Sequence, residues 1–255
     1  MSQILPLLVD GAKPLGISLN DAQLAQFQLY YETLVDWNSR MNLTAITGYD
    51  DVQSRHFLDS LLVGSALLEE MRVGGATRLV APPHGLWLVD IGTGAGFPGL
   101  PLKILWPQLQ VTLVDSTGKK TTFLQEVVRL LNLQKVGVLT ARAEDMGQEK
   151  VYRQHFDVAT ARAVSSLSVL CEYLLPLLRV GGLMLAPKKG DIRQELRDAR
   201  KAAAVLGGDE PRLHSFILPG SEEERYVVSV RKIKPTPPAY PRRVGLAKAR
   251  PIGSE

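Results

Sequence analysis

The chain has 255 residues, 45% of them apolar and 22% charged, a formal net charge of +4 and one cysteine, Cys171. These values describe an ordinary globular protein of one large domain, or one domain with an appendage. They exclude a disulfide scaffold, since a lone thiol has no internal partner, and a membrane span, since no apolar run reaches the roughly 18 residues that a span requires. A reducing cytosol is the expected compartment. The opening stretch MSQILPLLVDGAK has no basic leader and no cleavage site, so no signal peptide is expected.

Residues 1–71 read as a helical extension. In NDAQLAQFQLYYETLVDWN, Leu24, Phe27, Tyr31, Leu34 and Trp37 recur at helical spacing, with Asn20 or Asp21 as the N-cap. After NLTAIT, a second helix is predicted through DDVQSRHFLDSLLVGSALLEEM. The Gly- and Pro-rich stretch from 72 to 85 has no period and reads as a connector. From 86 to 234 strands alternate with helices. The strands are expected at 86–91, 110–115, 136–141, 156–161, 183–187, 213–218 and 225–230, with helices starting near Pro98, Thr117, Ser165 and Asp191. Such alternation predicts a doubly wound parallel α/β sheet. Only PGSEEE joins the last two strands, too short for a helical crossover, so the last strand is expected to be antiparallel. Seven strands ending in that hairpin are the plan of the Rossmann-like, class I S-adenosylmethionine-dependent methyltransferases.

The remaining segment, 235–255, is a basic, Pro-rich tail. From Arg231 onward stand seven basic residues (Arg231, Lys232, Lys234, Arg242, Arg243, Lys248, Arg250) against one acid, which exceeds the net charge of the whole chain. Two expectations follow, an arm that contacts phosphates or a solvated, loosely ordered end.

The densest motif is DIGTGAGFPGL, which follows the first strand. A dinucleotide fingerprint G-x-G-x-x-G fails from Gly92, because position 97 is Phe, and matches from Gly94 through Gly96 and Gly99. That match starts three residues past the strand and puts Pro98 where amides should cradle a pyrophosphate. Asp90 followed by Gly92, Gly94 and Gly96 suits S-adenosylmethionine better. That cofactor has no phosphate to neutralise and needs close backbone approach, which glycine permits. Asp115 ends the second strand, where a carboxylate can accept ribose hydroxyls; dinucleotide enzymes use the same device. An NAD-dependent oxidoreductase on the shifted match therefore stands as the alternative, and a non-catalytic RNA-binding module as a third reading.

Other chemistries lack their residues. DVATARAV follows the fourth strand, without the Asn/Asp-Pro-Pro-aromatic signature of exocyclic amine methylation. Cys171 lies in the apolar helix SLSVLCEYLLPLL and reads as a structural thiol, not a nucleophile. His56, His84, His155 and His214 have no ligand spacing, and no metal is expected.

NLTAIT, RHFLDSLL, DIGTGAGFPGLPLKI, LVDSTGKKTTFL, ARAEDM, ARAVSSLSVLCEYLLPLLRVGG and PTPPAYPRRVG occur in order from about residue 15 to 250. Together they resemble the glucose-inhibited division protein B family of bacterial small-subunit ribosomal RNA guanine-N7 methyltransferases. The resemblance implies methylation at N7 of one guanine in 16S ribosomal RNA, in a loop near the decoding region. The substrate is then free RNA or an assembling small subunit, and a monomer is expected. Beside Asp90, Gly94 and Gly96 of the glycine pattern, it further implies cofactor contacts by Gly92, Phe97, Asp115, Ser116, Thr117, Ala143, Glu144 and Arg162, with Arg162 facing the methyl-transfer position as the catalytic residue. RNA contacts are implied for Arg55, His56, Lys119, Arg142, Lys189 and Arg225. Two departures are a long 72–85 connector and the doubled lysine of LAPKKG, which leaves Lys188 and Lys189 as alternatives for the RNA-facing position. Guanine N7 carries an in-plane lone pair and no proton, so its methylation needs alignment of the reactants and no general base.

Overall fold

The computed structural model describes residues 4–72, 82, 84–218 and 223–253; most of the connector and of the acidic link in the last hairpin lie outside them. Seven strands form one sheet: β1 (Trp87–Ile91), β2 (Gln110–Asp115), β3 (Val136–Thr140), β4 (Phe156–Thr160), β5 (Leu178–Lys189), β6 (Arg212–Ile217) and β7 (Glu224–Arg231). Their order is β3-β2-β1-β4-β5-β7-β6. The first five run parallel, and β7 is antiparallel to both β5 and β6, as the short link requires. Strand order reverses between β1 and β4. Ligands of open α/β sheets bind beyond the carboxyl ends of the strands at such a reversal.

β5 starts five residues earlier than expected, at Leu178. Its first part, LRVGG, reads as a loop because of the paired glycines, yet it follows β4 with a register shift at Phe156. A Cβ on Gly182 would sit 2.9 Å from the Arg179 carbonyl oxygen, so close strand packing explains that glycine.

The helices are α1 (Pro6–Ala12), α2 (Asp21–Met41), α3 (Tyr49–Val52), α4 (Asp59–Glu70), α5 (Gly99–Leu105), α6 (Gly118–Leu130), α7 (Ala143–Gln148), α8 (Leu167–Leu174), α9 (Arg193–Leu206) and α10 (Leu246–Ala249). Asn20 caps α2 in a capping box. Its side chain accepts from the Gln23 N–H at 2.9 Å, and Gln23 Oε1 accepts from the Asn20 N–H. Gln23 then donates to the Ile104 and Leu105 carbonyls, closing the end of α5. The buried stripe of α2 contains Tyr30, where helical spacing pointed to its neighbour Tyr31. The second predicted helix is α3 and α4 joined through a π-helical turn, Gln53–Leu58. α7 and α10 went unpredicted because four to six residues cannot display a helical period.

The N-terminal helices have no core of their own. Phe27, Tyr30, Leu34, Phe57 and Leu61 pack in one cluster with Leu100, Leu113 and Phe123 on one face of the sheet. Burying each large side chain contributes about 1.5–3 kcal/mol, so extension and sheet stabilise each other. α7, α8, α9 and α10 cover the opposite face through Met146, Leu170, Ala203 and Ala247.

The basic tail is neither a free arm nor a loose end. The Arg242 backbone and guanidinium bind Glu172, Arg153 donates to the Thr236 and Tyr240 carbonyls, and Gln148 donates to that of Pro241. Lys232 is fully buried on the Leu175 and Leu206 carbonyls, and burial holds its pKa down to about 7.

Candidate active site

Beyond the ends of β1, β4 and β5 opens a cavity of about 570 Å³. Its walls bring together eight of the expected residues: Arg55, His56, Gly92, Gly94, Phe97, Arg162, Lys189 and Arg225. Asp90, Gly96 and Asp115 support the loop from behind. Ser116, Thr117, Lys119 and Arg142 stand exposed past β2 and β3, outside this cavity, with the buried Ala143 and Glu144 beside them. The Glu144 carboxylate accepts from the Gly245 N–H at 3.0 Å and so faces the tail.

The glycine loop explains why the dinucleotide alternative fails. A pyrophosphate needs free amides at the helix N-terminus. Here the Gly99 N–H donates to Asp90 at 2.9 Å, the Leu100 N–H donates to the Gly96 carbonyl at 2.8 Å, and position 101 is proline. The first turn of α5 has no donor left for phosphate.

S-adenosylmethionine fits better. Gly94 has φ of +62°, and a Cβ there would meet nothing within 4 Å, so the loop turns an open backbone face toward the cleft. Asp115 accepts from the Gly94 N–H at 3.0 Å and the Thr117 N–H at 2.9 Å, which fixes its carboxylate beside the glycine loop. Asp90 is fully buried. One of its oxygens holds Thr93 and Gly99, the other has no partner among the described residues, and burial lifts its pKa to about 7. From below, Tyr30 clamps the loop by donating to the Ala95 carbonyl and stacking on Phe97.

Arg162, just after β4, ties the sheet to the π-helical turn. It donates to the Arg55 carbonyl at 3.0 Å, to Asp59 Oδ2 at 3.0 Å and to His56 Nδ1 at 3.1 Å, and it lies 5.0 Å from the centre of the Phe97 ring. A guanidinium can only donate. His56 Nδ1 is therefore the lone-pair nitrogen, and Nε2–H donates to Thr44 Oγ1 at 3.0 Å. Burial, reinforced by the Arg162 charge, pushes the His56 pKa down to about 3. His56 is a neutral plate stacked on Phe97, 4.3 Å between centroids.

Asp59, which lies in RHFLDSLL but is not among the implied site residues, is the keystone. Its Oδ2 holds Arg162 and its Oδ1 holds Arg225 Nε at 3.0 Å. His56 and Arg225, implied as RNA contacts, are only 7% and 8% exposed, with their polar atoms engaged inside the protein. They brace the cavity instead of facing outward. Lys188 is likewise held, on the Ser165 carbonyl and Glu195 at 2.7 Å each, whereas Lys189 is exposed at the mouth. Cys171 is buried, and burial pushes its thiol up to about 12, away from nucleophilic use.

The profile of the family described as GidB, rRNA small subunit methyltransferase G, matches residues 23–223. The chain belongs to this family. A ribosomal RNA small subunit methyltransferase G of Dehalococcoides mccartyi (strain CBDB1) is 46% identical, over 96% of this chain and 98% of the relative. That of Roseiflexus castenholzii (strain DSM 13941 / HLO8) is 48% identical, over 93% and 95%. Among solved structures, CurJ carbon methyltransferase superposes with a TM-score of 0.52 at 15% identity, over 89% of this chain and 66% of that one. MtNAS in complex with MTA and tNA superposes with 0.50 at 17%, over 90% and 76%. The superpositions confirm the class I methyltransferase fold. As a member of the methyltransferase G family, the chain is a ribosomal RNA methyltransferase. None of its described helices is long and apolar enough to cross a membrane.

Proposed function

We propose that the chain transfers a methyl group from S-adenosylmethionine to N7 of one guanine in 16S ribosomal RNA, free or in an assembling small subunit. Asp115 and the loop around Gly92, Gly94 and Gly96 would hold the cofactor, with Asp90 bracing the loop. When bound, that cofactor supplies an electrophilic methyl group. The observation that favours N7 is that, among the described residues of the cavity, the imidazole has both nitrogens engaged and each carboxylate is paired with a cation that taking up a proton would leave unmatched. Asp59 is held by two arginines, Glu195 by Lys188, and Glu223 by Arg225. Both nitrogens of His56 are engaged. Ribose hydroxyls must lose a proton during methylation, and guanine N7 has none to lose.

Arg162 then acts as the positioning cation. Three of its five N–H groups are committed within the protein, which leaves two without a partner among the described residues. Those two can hold O6 of the base, a usual target of arginine on guanine, while N7 stays open. Arg55 and Lys189 at the mouth offer charge to the RNA backbone.

The deciding experiment is mass mapping of 16S ribosomal RNA from a strain lacking the gene, before and after treatment with purified protein and S-adenosylmethionine. One guanine should gain the mass of one methyl group on treatment. Borohydride and aniline should then cleave the chain at that nucleotide, as they do at N7-methylguanine. A methyl group found on ribose or on an exocyclic amine would refute the proposal.

A further inference from the structure

The cavity is divided by the order of the strands. The glycine loop and Asp115, which would hold the methyl donor, stand at β1 and β2; Arg162 and Lys188 stand at β4 and β5, across the reversal. The β4–β5 side is left for the acceptor base. Glu195, in the first turn of α9, lines that side. Its Oε2 accepts from the Leu167 N–H at 3.0 Å and from Lys188 Nζ at 2.7 Å. Those two donors fix the carboxylate, while Oε1 has no partner among the described residues and the side chain is 34% exposed. Asp59, by contrast, has both oxygens on arginines. A fixed carboxylate with one open oxygen is an acceptor aimed at a donor.

Guanine offers such donors beside O6, in N1–H and the N2 amino group. We propose that Glu195 reads the guanine, its Oε1 accepting from N1–H and N2–H while the free N–H groups of Arg162 hold O6. The assignment rests on the guanine-N7 reading above and adds the residue that selects the base. Adenine has a lone pair at N1 and no N2 amine, so it would set two acceptors face to face and leave Oε1 without a donor. The first lysine of LAPKKG gains a role here, since Lys188 is one of the two donors that aim Glu195.

The test compares small-subunit RNA carrying guanosine or inosine at the target position. Inosine keeps N7, O6 and N1–H and lacks only the N2 amine. The wild-type chain should methylate the guanosine RNA with kcat/KM about tenfold higher, or more, as expected for a hydrogen bond to a charged acceptor. In Glu195→Gln, the Leu167 N–H and Lys188 both still require an acceptor, so the amide oxygen stays with them and the NH₂ group replaces Oε1, donor against donor. Activity on guanosine RNA should fall and the guanosine-to-inosine ratio should drop toward one, with affinity for S-adenosylhomocysteine unchanged. If Glu195→Gln lowers both RNAs by the same factor, Glu195 is a structural brace and the assignment is overturned. Equal use of both RNAs by the wild type overturns it without any variant, while leaving guanine-N7 methylation intact. If the wild type forms no N7-methylguanine, the functional reading fails and takes the assignment with it.

Discussion

Asp59→Asn tests whether one carboxylate holds the cavity together. Asp59 accepts from Arg162 and Arg225 at 3.0 Å each, and the three side chains are 14%, 16% and 10% exposed. Hydrogen bonds to charged groups contribute about 1.5–3 kcal/mol each. Asparagine keeps one acceptor oxygen, at reduced strength, and turns the other position into a donor facing a guanidinium. The expected cost is about 2–4 kcal/mol, less than the roughly 3–5 kcal/mol for deleting one partner of a fully buried pair, because both arginines reach the solvent of the cavity. In a chain of this size each kcal/mol lowers Tm by about 2–4 °C, so thermal unfolding should shift down by about 4–16 °C. A second signature separates this site from a general weakness. Among the described residues no hydrogen bond or ion pair joins Asp59 to Asp115 or the glycine loop, so S-adenosylhomocysteine should bind normally below Tm while methyl transfer collapses with the loss of Arg162 alignment. A variant that melts within about 2 °C of wild type, less than 1 kcal/mol on that scale, and methylates normally would refute the keystone role.

Gly94→Ala should cost only about 1–2 kcal/mol of stability, the left-handed backbone penalty, yet sharply weaken S-adenosylhomocysteine in calorimetry because its Cβ enters the open cleft; Gly96→Ala would meet Tyr30 Oη at 2.6 Å and should destabilise more. Asp115→Ala should reduce cofactor affinity by about 1.5–3 kcal/mol and leave RNA affinity in a filter-binding assay nearly unchanged. Stability near the β6–β7 hairpin should depend on pH, because His214 bridges Glu69 and Glu70, which also holds Ser229 and Arg231. These carboxylates raise the His214 pKa above 6.5, so its contribution is complete below pH 6.5 and is lost as pH rises through the raised value. His214 and the other donors hold Glu70 down to about 2, so its contribution is complete above about pH 4.5 and is lost as pH falls toward 2. Denaturant midpoints measured across pH should show both slopes, and His214→Gln should abolish the upper one.

The strands and the glycine loop were legible because their causes are local. An apolar run ending in an acid and followed by glycines reads as a strand feeding a tight turn wherever it occurs, and Asp90 and Asp115 lie where those runs end. The braces of the cavity were not legible, because their causes are distant in the chain. Asp59 is 103 residues from Arg162 and 166 from Arg225, and nothing in RHFLDS distinguishes a carboxylate that holds two arginines from one on a solvated helix face. His56 has the same history. The motif singled it out, but only the approach of Arg162 and Phe97 makes it a buried neutral plate. The choice between Tyr30 and Tyr31 was decided by the direction from which the sheet meets α2, which spacing within α2 does not encode.

Charge counting in the tail missed how it packs for a related reason. Seven cations in a short Pro-rich stretch suggest a partner made of phosphate, but a count does not record which acids lie within reach once the chain folds. Glu172 is 1% exposed in its side chain and Glu70 4%, and buried carboxylates require cations. Arg242 and Arg231 meet that need from within the chain, and Lys232 caps carbonyls inside the core. Truncation after Lys234 therefore does more than remove charge. It strips Glu172 of Arg242, deprives Arg153 of the Thr236, Pro237 and Tyr240 carbonyls, and frees Glu144 beside the end of β3 from Gly245. An unpaired buried carboxylate alone costs about 3–5 kcal/mol. The shortened protein should thus melt well below the full chain and bind S-adenosylhomocysteine more weakly, at low and high salt alike. A truncated protein with wild-type Tm and cofactor affinity, altered only in the salt dependence of RNA binding, would make the tail a phosphate-binding arm after all.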